Sequence, residues 1–128
     1  MGEIHVYFSK TGSEPTVIPE VLGVPPRDPV FWHIHSGHES ADDPKLKTVT
    51  IQFAENAGFF SDNKGKGGVT NSVTRNIDYN NKGGVGFIYG TAPDRARYPY
   101  KYTIRGEMTD GMTAIADPVI VTDAPPPK

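Results

Sequence analysis

Lys47-Thr48-Val49-Thr50-Ile51-Gln52-Phe53-Ala54 sets Val49, Ile51 and Phe53 on one side of an extended backbone and Thr48, Thr50 and Gln52 on the other. Successive side chains of a strand point to opposite faces, so this stretch reads as a strand with one dry and one wet face. The same period of two recurs to either side. Upstream, Glu3 to Ser9 sets Ile4, Val6 and Phe8 against His5 and Tyr7, and Pro29 to Ser36 sets Val30, Trp32 and Ile34 against Phe31, His33 and His35. Downstream, Tyr98 to Gly106 aligns Tyr100, Tyr102 and Ile104, and Asp117 to Asp123 supplies a last strand. Two weaker strands, Val69 to Tyr79 and Gly84 to Gly90, flank Asn80-Asn81-Lys82-Gly83, a hairpin turn because Asn and Gly tolerate positive φ. The eighth strand, Thr16 to Leu22, contains Pro19, which cannot donate to a ladder and so marks an edge or a change of sheet.

A chain of 128 residues carries one hydrophobic core and one domain. With 14 Gly and 12 Pro, long helices are disfavoured and many short elements joined by turns are expected. The fold class that follows is all-β: a single two-sheet antiparallel sandwich of Greek-key type over residues 1–123, closed by the Pro-rich tail 124–128, expected to be a disordered end. Asn56 to Gly68 reads as a long loop, with one helical turn near Ala54 to Ala57. The pair Phe59-Phe60 in that loop reads as a plug over one open end of the sandwich or as an exposed contact patch, and the plug is favoured because burial offsets the cost of exposing two large rings.

A net charge of −2 provides no basic patch, so neither nucleic acid nor an acidic membrane surface is an expected partner. No stretch approaches the roughly 18 apolar residues of a membrane span. Met1-Gly2-Glu3 leads directly into a strand pattern without a signal-peptide core, and Met1-Gly2 reads as a replacement for a removed leader. The absence of cysteine excludes disulfides, zinc–thiolate sites, iron–sulfur clusters and thiol catalysis, while leaving the compartment open.

Three of the four histidines fall in Phe31-Trp32-His33-Ile34-His35-Ser36-Gly37-His38-Glu39, and none follows. His33 and His35 alternate on one strand face about 7 Å apart at the backbone, close enough to chelate one ion. His38 and Glu39 lie in the turn beyond, and His5 stands ready on a neighbouring first strand. The set His33, His35, His38 and Glu39 is the metal-site candidate, and its nitrogen and oxygen donors suit Zn(II), Cu(II) or Ni(II). The competing reading is a solvated sheet face in which His33 and His35 pair with Glu39, Asp42 and Asp43, and no cofactor is bound.

Val30-Phe31-Trp32, then Lys47-Thr48-Val49-Thr50-Ile51, then Tyr100-Lys101-Tyr102-Thr103-Ile104 and Asp117-Pro118-Val119-Ile120-Val121 together resemble the cupredoxin-like family over about two thirds of the chain. The resemblance implies a tryptophan-bearing strand, a His-Thr-Val-Thr type strand and a Tyr-x-Tyr strand before a copper-binding loop, and it favours a periplasmic or secreted setting. A type 1 copper centre requires two histidines and a cysteine thiolate. Here Lys47 occupies the family's first histidine position, and the closing loop from Arg105 to Asp117 offers Met108 and Met112 but no Cys or His. A blue-copper carrier is thereby excluded. His33-x-His35-x-x-x-Glu39 also matches the first half of the cupin metal motif, but that family's later histidine has no counterpart.

Gly65-Lys66-Gly67-Gly68 lacks the Walker spacing, and no Gly-x-Ser-x-Gly elbow accompanies the histidines, so no catalytic residue is assigned. Of the aromatics, Tyr100 and Tyr102 read as core, whereas Tyr89 and Tyr98 read as surface anchors for a protein or a glycan. Three expectations result. The first is a non-enzymatic cupredoxin-like binding or accessory module that works through its end loops. The second is a metal-binding protein holding Cu(II) or Zn(II), and the third a cupin-type metalloenzyme.

Overall fold

A computed structural model of the chain describes residues 2–9, 11, 14–37, 42–54, 58–61, 69–77 and 85–123, which form twelve strands and no helix. The strands are β1 (Gly2–Phe8), β2 (Thr16–Ile18), β3 (Val21–Val24), β4 (Pro29–Ser36), β5 (Leu46–Phe53), β6 (Phe60–Ser61), β7 (Val69–Thr70), β8 (Ser72–Asn76), β9 (Val85–Thr91), β10 (Tyr98–Met108), β11 (Thr113–Ala116) and β12 (Val119–Thr122). One sheet runs β2-β1-β4-β9. The other runs β3-β12-β10-β5-β8, with β11 also pairing β10, and β6 and β7 form a separate ladder of two strands.

The expectation of purely antiparallel sheets is corrected: β1 pairs β4 in parallel, and β3 pairs β12 in parallel, so both sheets are mixed. A side-chain period of two is common to both pairings and does not distinguish them. The parallel pair β1 and β4 needs a long connection, and Pro19 supplies its route. After a cis Ile18–Pro19 bond the chain leaves β2 in the first sheet, enters β3 in the second, and returns beside β1 as β4. The expected strand from Thr16 to Leu22 is therefore two strands on opposite layers.

The alternation read from the sequence sorts the two layers. Ile4, Val6 and Phe8 of β1 and Val30, Trp32 and Ile34 of β4 are buried against Val49, Ile51 and Phe53 of β5 and Tyr100, Tyr102 and Ile104 of β10. Burying a side chain of this size contributes about 1.5–3 kcal/mol, so this interlayer cluster is the main source of stability. At its centre the indole N–H of Trp32 donates to the Tyr102 hydroxyl at 3.3 Å, and both rings meet Phe53. Phe59 stacks on Phe53 with centroids 4.0 Å apart, and Phe60 lies against Trp32 at 5.7 Å. The Phe59-Phe60 pair is thus buried, as the plug reading requires.

Two further departures have physical causes. β11 was unforeseen because Ala114 and Ala116 fill its buried positions while Ile115 faces outward, which inverts the usual hydropathy contrast. Tyr98 is half-buried rather than free: Arg95 lies over its ring at 3.7 Å, and the Thr122 hydroxyl accepts its backbone N–H. Residues 55–57 of the helical turn expected near Ala54 to Ala57, the Asn80–Gly83 hairpin turn and the 124–128 tail fall outside the described residues.

Candidate functional site

The outer face of the four-stranded sheet carries most of the rings left unburied. Because β1 and β4 run parallel and in register, His5 stands opposite His33 and Tyr7 opposite His35. Antiparallel pairing with β9 then sets Phe87 beside His33 and Tyr89 beside Phe31, while β2 brings Ile18 beside His5. Tyr7, Ile18, Phe87 and Tyr89 are each between 44% and 53% exposed, which makes this an apolar surface open to solvent.

Strand spacing decides how these rings meet. Neighbouring strands lie about 4.8 Å apart, close to the distance at which flat rings stack. His5 and His33 stack with centroids 4.6 Å apart and planes 14° from parallel, and Tyr7 and His35 do so at 4.6 Å and 11°. Phe31 continues the arrangement with Phe87 at 5.5 Å and Tyr89 at 5.9 Å, and Phe87 turns its edge to His33. In such a ladder the ring faces are turned toward one another, and ring edges point outward.

Diagonal neighbours complete the polar pattern. His5 Nδ1 and His35 Nε2 approach to 3.4 Å with their rings 16° from parallel. His33 Nε2 instead faces Glu3 Oε1 at 3.4 Å. Partial burial, reinforced by the His5 and then the His33 imidazole, holds the His35 pKa below its ordinary value. His35 therefore resists protonation, which keeps a neutral ring beside His5.

The structure brings together only part of the expected metal set. His33 and His35 share the outer face of β4, but His5 lies between them from the adjacent strand, and His33 is turned toward Glu3. His38 and Glu39 fall outside the described residues, as does the convergence on Glu39 that a cupin-type site requires. Among the described residues, no three His, Asp or Glu side chains gather around one point as ligands for a single ion. Among the described residues, the carboxylate that meets His33 is Glu3, and Glu39 lies outside them.

The sequence placed His5 on a neighbouring first strand and Tyr89 among the surface aromatics, but not on one face with His33 and His35. His5, Tyr7 and Phe87 show the alternation of an outer face, and that signal was legible, but their meeting depends on which strands become neighbours. No family model, curated protein or solved structure matches the chain.

Proposed function

We propose that this chain is a non-enzymatic binding module on a cupredoxin-like sandwich, and that it meets a protein partner through the outer face of the β2-β1-β4-β9 sheet. The observation that carries the reading is the exposure of Tyr7, Ile18, Phe87 and Tyr89 on one face. Apolar rings on a rigid sheet gain burial on binding while losing little side-chain entropy, which is how aromatic anchors act at protein interfaces.

The cupredoxin-like part of the proposal is supported by residues that the resemblance singled out. Trp32, the Thr48-Val49-Thr50 strand and the Tyr100-x-Tyr102 strand come from β4, β5 and β10, and Trp32 bonds Tyr102 across the core. The Phe59-Phe60 loop pair is buried, so the exposed aromatic surface favours the sheet face over the loops at the sandwich ends. A protein partner is favoured over a glycan by ring orientation. Sugars stack on free ring faces, whereas His5, Tyr7, His33 and His35 turn theirs toward each other.

The test is affinity capture from extract of the source cells with the immobilised chain, compared with Phe87→Ser and with Ile115→Ser on the opposite sheet. A partner held by the parent chain and by Ile115→Ser, and lost with Phe87→Ser, supports the assignment. Capture indifferent to Phe87→Ser, or no retained protein, removes it. Sedimentation of the chain alone separates a foreign partner from a second copy.

A further inference from the structure

We infer that two copies of this chain associate through the outer edge of β9, joining their four-stranded sheets into one continuous sheet about a two-fold axis at Phe87. The inference is separate from the outer-face reading, because it rests on main-chain groups at the sheet edge.

The direction of those groups is fixed by two hydrogen bonds. Thr91 N–H donates to the Phe59 carbonyl at 2.9 Å, away from β4, and Ala92 N–H donates to the Asp28 carbonyl at 2.8 Å, on the β4 side. In an antiparallel strand a residue sends its N–H and C=O to one side and the next residue sends them to the other. With β4 paired to β9 from Val85 to Thr91, the main-chain groups of Val85, Phe87 and Tyr89 therefore point outward, and those of Gly86, Ile88 and Gly90 point to β4. Among the described residues, no strand pairs with that outward row.

Such an edge recruits another strand unless charge, proline or shortness blunts it. β2 and β3 are short and bounded by Pro15, Pro19 and Pro25, and β8 carries Arg75. β9, Val85-Gly86-Phe87-Ile88-Tyr89-Gly90-Thr91, has neither charge nor proline. A second copy is the occupant this strip fits. A two-fold contact sets a strand against itself, so a charge at its axis would meet its equal, and β9 has none. Thr91 is already bonded to Phe59, so the longest self-pairing runs from Val85 to Tyr89. Its centre is Phe87 opposite Phe87 of the second copy, with Val85 opposite Tyr89 on either side.

The side chains agree with that register. The row Ile18, His5, His33 and Phe87 crosses the sheet and ends at β9, where Phe87 is 52% exposed. Strands about 4.8 Å apart bring the two Phe87 rings into contact and continue the row into the second copy.

The experiment is sedimentation velocity of the tag-free full chain over a hundredfold range of concentration up to about 500 µM, where mass action populates a weak dimer. It is repeated on Phe87→Lys, on Phe87→Glu and on the two mixed in equal amounts, with far-UV circular dichroism to confirm that each is folded. A parent dimer, each charged variant monomeric alone, and a dimer restored by mixing are expected, since opposite charges then face each other at the axis. Ile115→Ser, on the other sheet, should dimerise like the parent. Amide hydrogen exchange of the parent supplies a readout that needs no variant: exchange at Phe87 and Tyr89 should slow as concentration rises, while Ile88, already bonded to β4, stays constant. A monomeric parent, growth beyond the dimer, a dimer that persists in either charged variant, a mixture that stays monomeric, or exchange at Phe87 and Tyr89 indifferent to concentration would overturn the interface. No foreign partner enters these measurements, so their failure is distinct from a failed capture.

Discussion

The bond between Trp32 and Tyr102 links the two layers at the residues that carry the family resemblance, and its contribution can be isolated by a double-mutant cycle. Both side chains are buried, and the structure provides the indole N–H with the Tyr102 hydroxyl at 3.3 Å. Burial also pushes the Tyr102 phenol well above its ordinary pKa, with the Trp32 bond opposing that shift, so the group stays neutral at any usual pH. Tyr102→Phe removes the acceptor and leaves a buried N–H unpaired, at an expected cost of about 1–3 kcal/mol. Trp32→Phe strands the hydroxyl and also opens a cavity, so its cost is expected to reach about 2–4 kcal/mol. The double variant strands neither group. It should therefore cost about 1–2 kcal/mol less than the sum of the two single changes.

Urea unfolding followed by far-UV circular dichroism measures all four proteins on one footing, since Trp32 is the sole tryptophan and its fluorescence is absent from half of them. Single changes that add to within about 0.3 kcal/mol would refute the reasoning, because independent sites behave that way. The Tyr102 hydroxyl would then have to be satisfied by something other than Trp32.

Gly106 on β10 faces Phe8 across the core, and a Cβ there would overlap the Phe8 ring and stand 2.8 Å from Leu46 Cδ1. Gly106→Ala should thus destabilise by about 1–3 kcal/mol through overpacking, and a midpoint in urea equal to that of the parent would contradict the packing described. The lowered pKa of His35 gives a stability dependence of known sign in the metal-free chain. Its unfolded form takes up a proton near pH 6.5 while the folded form resists, so the stabilisation is complete above that pH and is lost as pH falls through the lower folded value. Between pH 7.5 and 5.5 in chelator, the parent should lose more stability than His35→Gln, and equal losses would count against the environment assigned to that ring.

How much could be read before any coordinates depends on which interactions decide each feature. Alternation alone assigned Ile4, Val6 and Phe8, or Val49, Ile51 and Phe53, to a dry face, and each is buried. Pro19 marked a break because a missing N–H is a local property, and the break proved to be the crossing between layers. By contrast β11 was hidden, since small buried alanines and an exposed Ile115 invert the contrast that signals a strand. Parallel pairing was hidden as well, because a strand looks the same whichever way its neighbour runs.

The histidine face divides along the same line. The amino-acid order determined that His33 and His35 share a side of one strand, that His5 and Tyr7 share a side of another, and that no thiolate exists to rebuild a type 1 copper centre. Only the tertiary structure decided that these two strands lie together in parallel register, which turned His33 toward His5 and Glu3 and brought His35 to 3.4 Å from His5. Facing direction is set by neighbours along the chain, whereas the partner across a sheet is set by layer packing among residues distant in sequence.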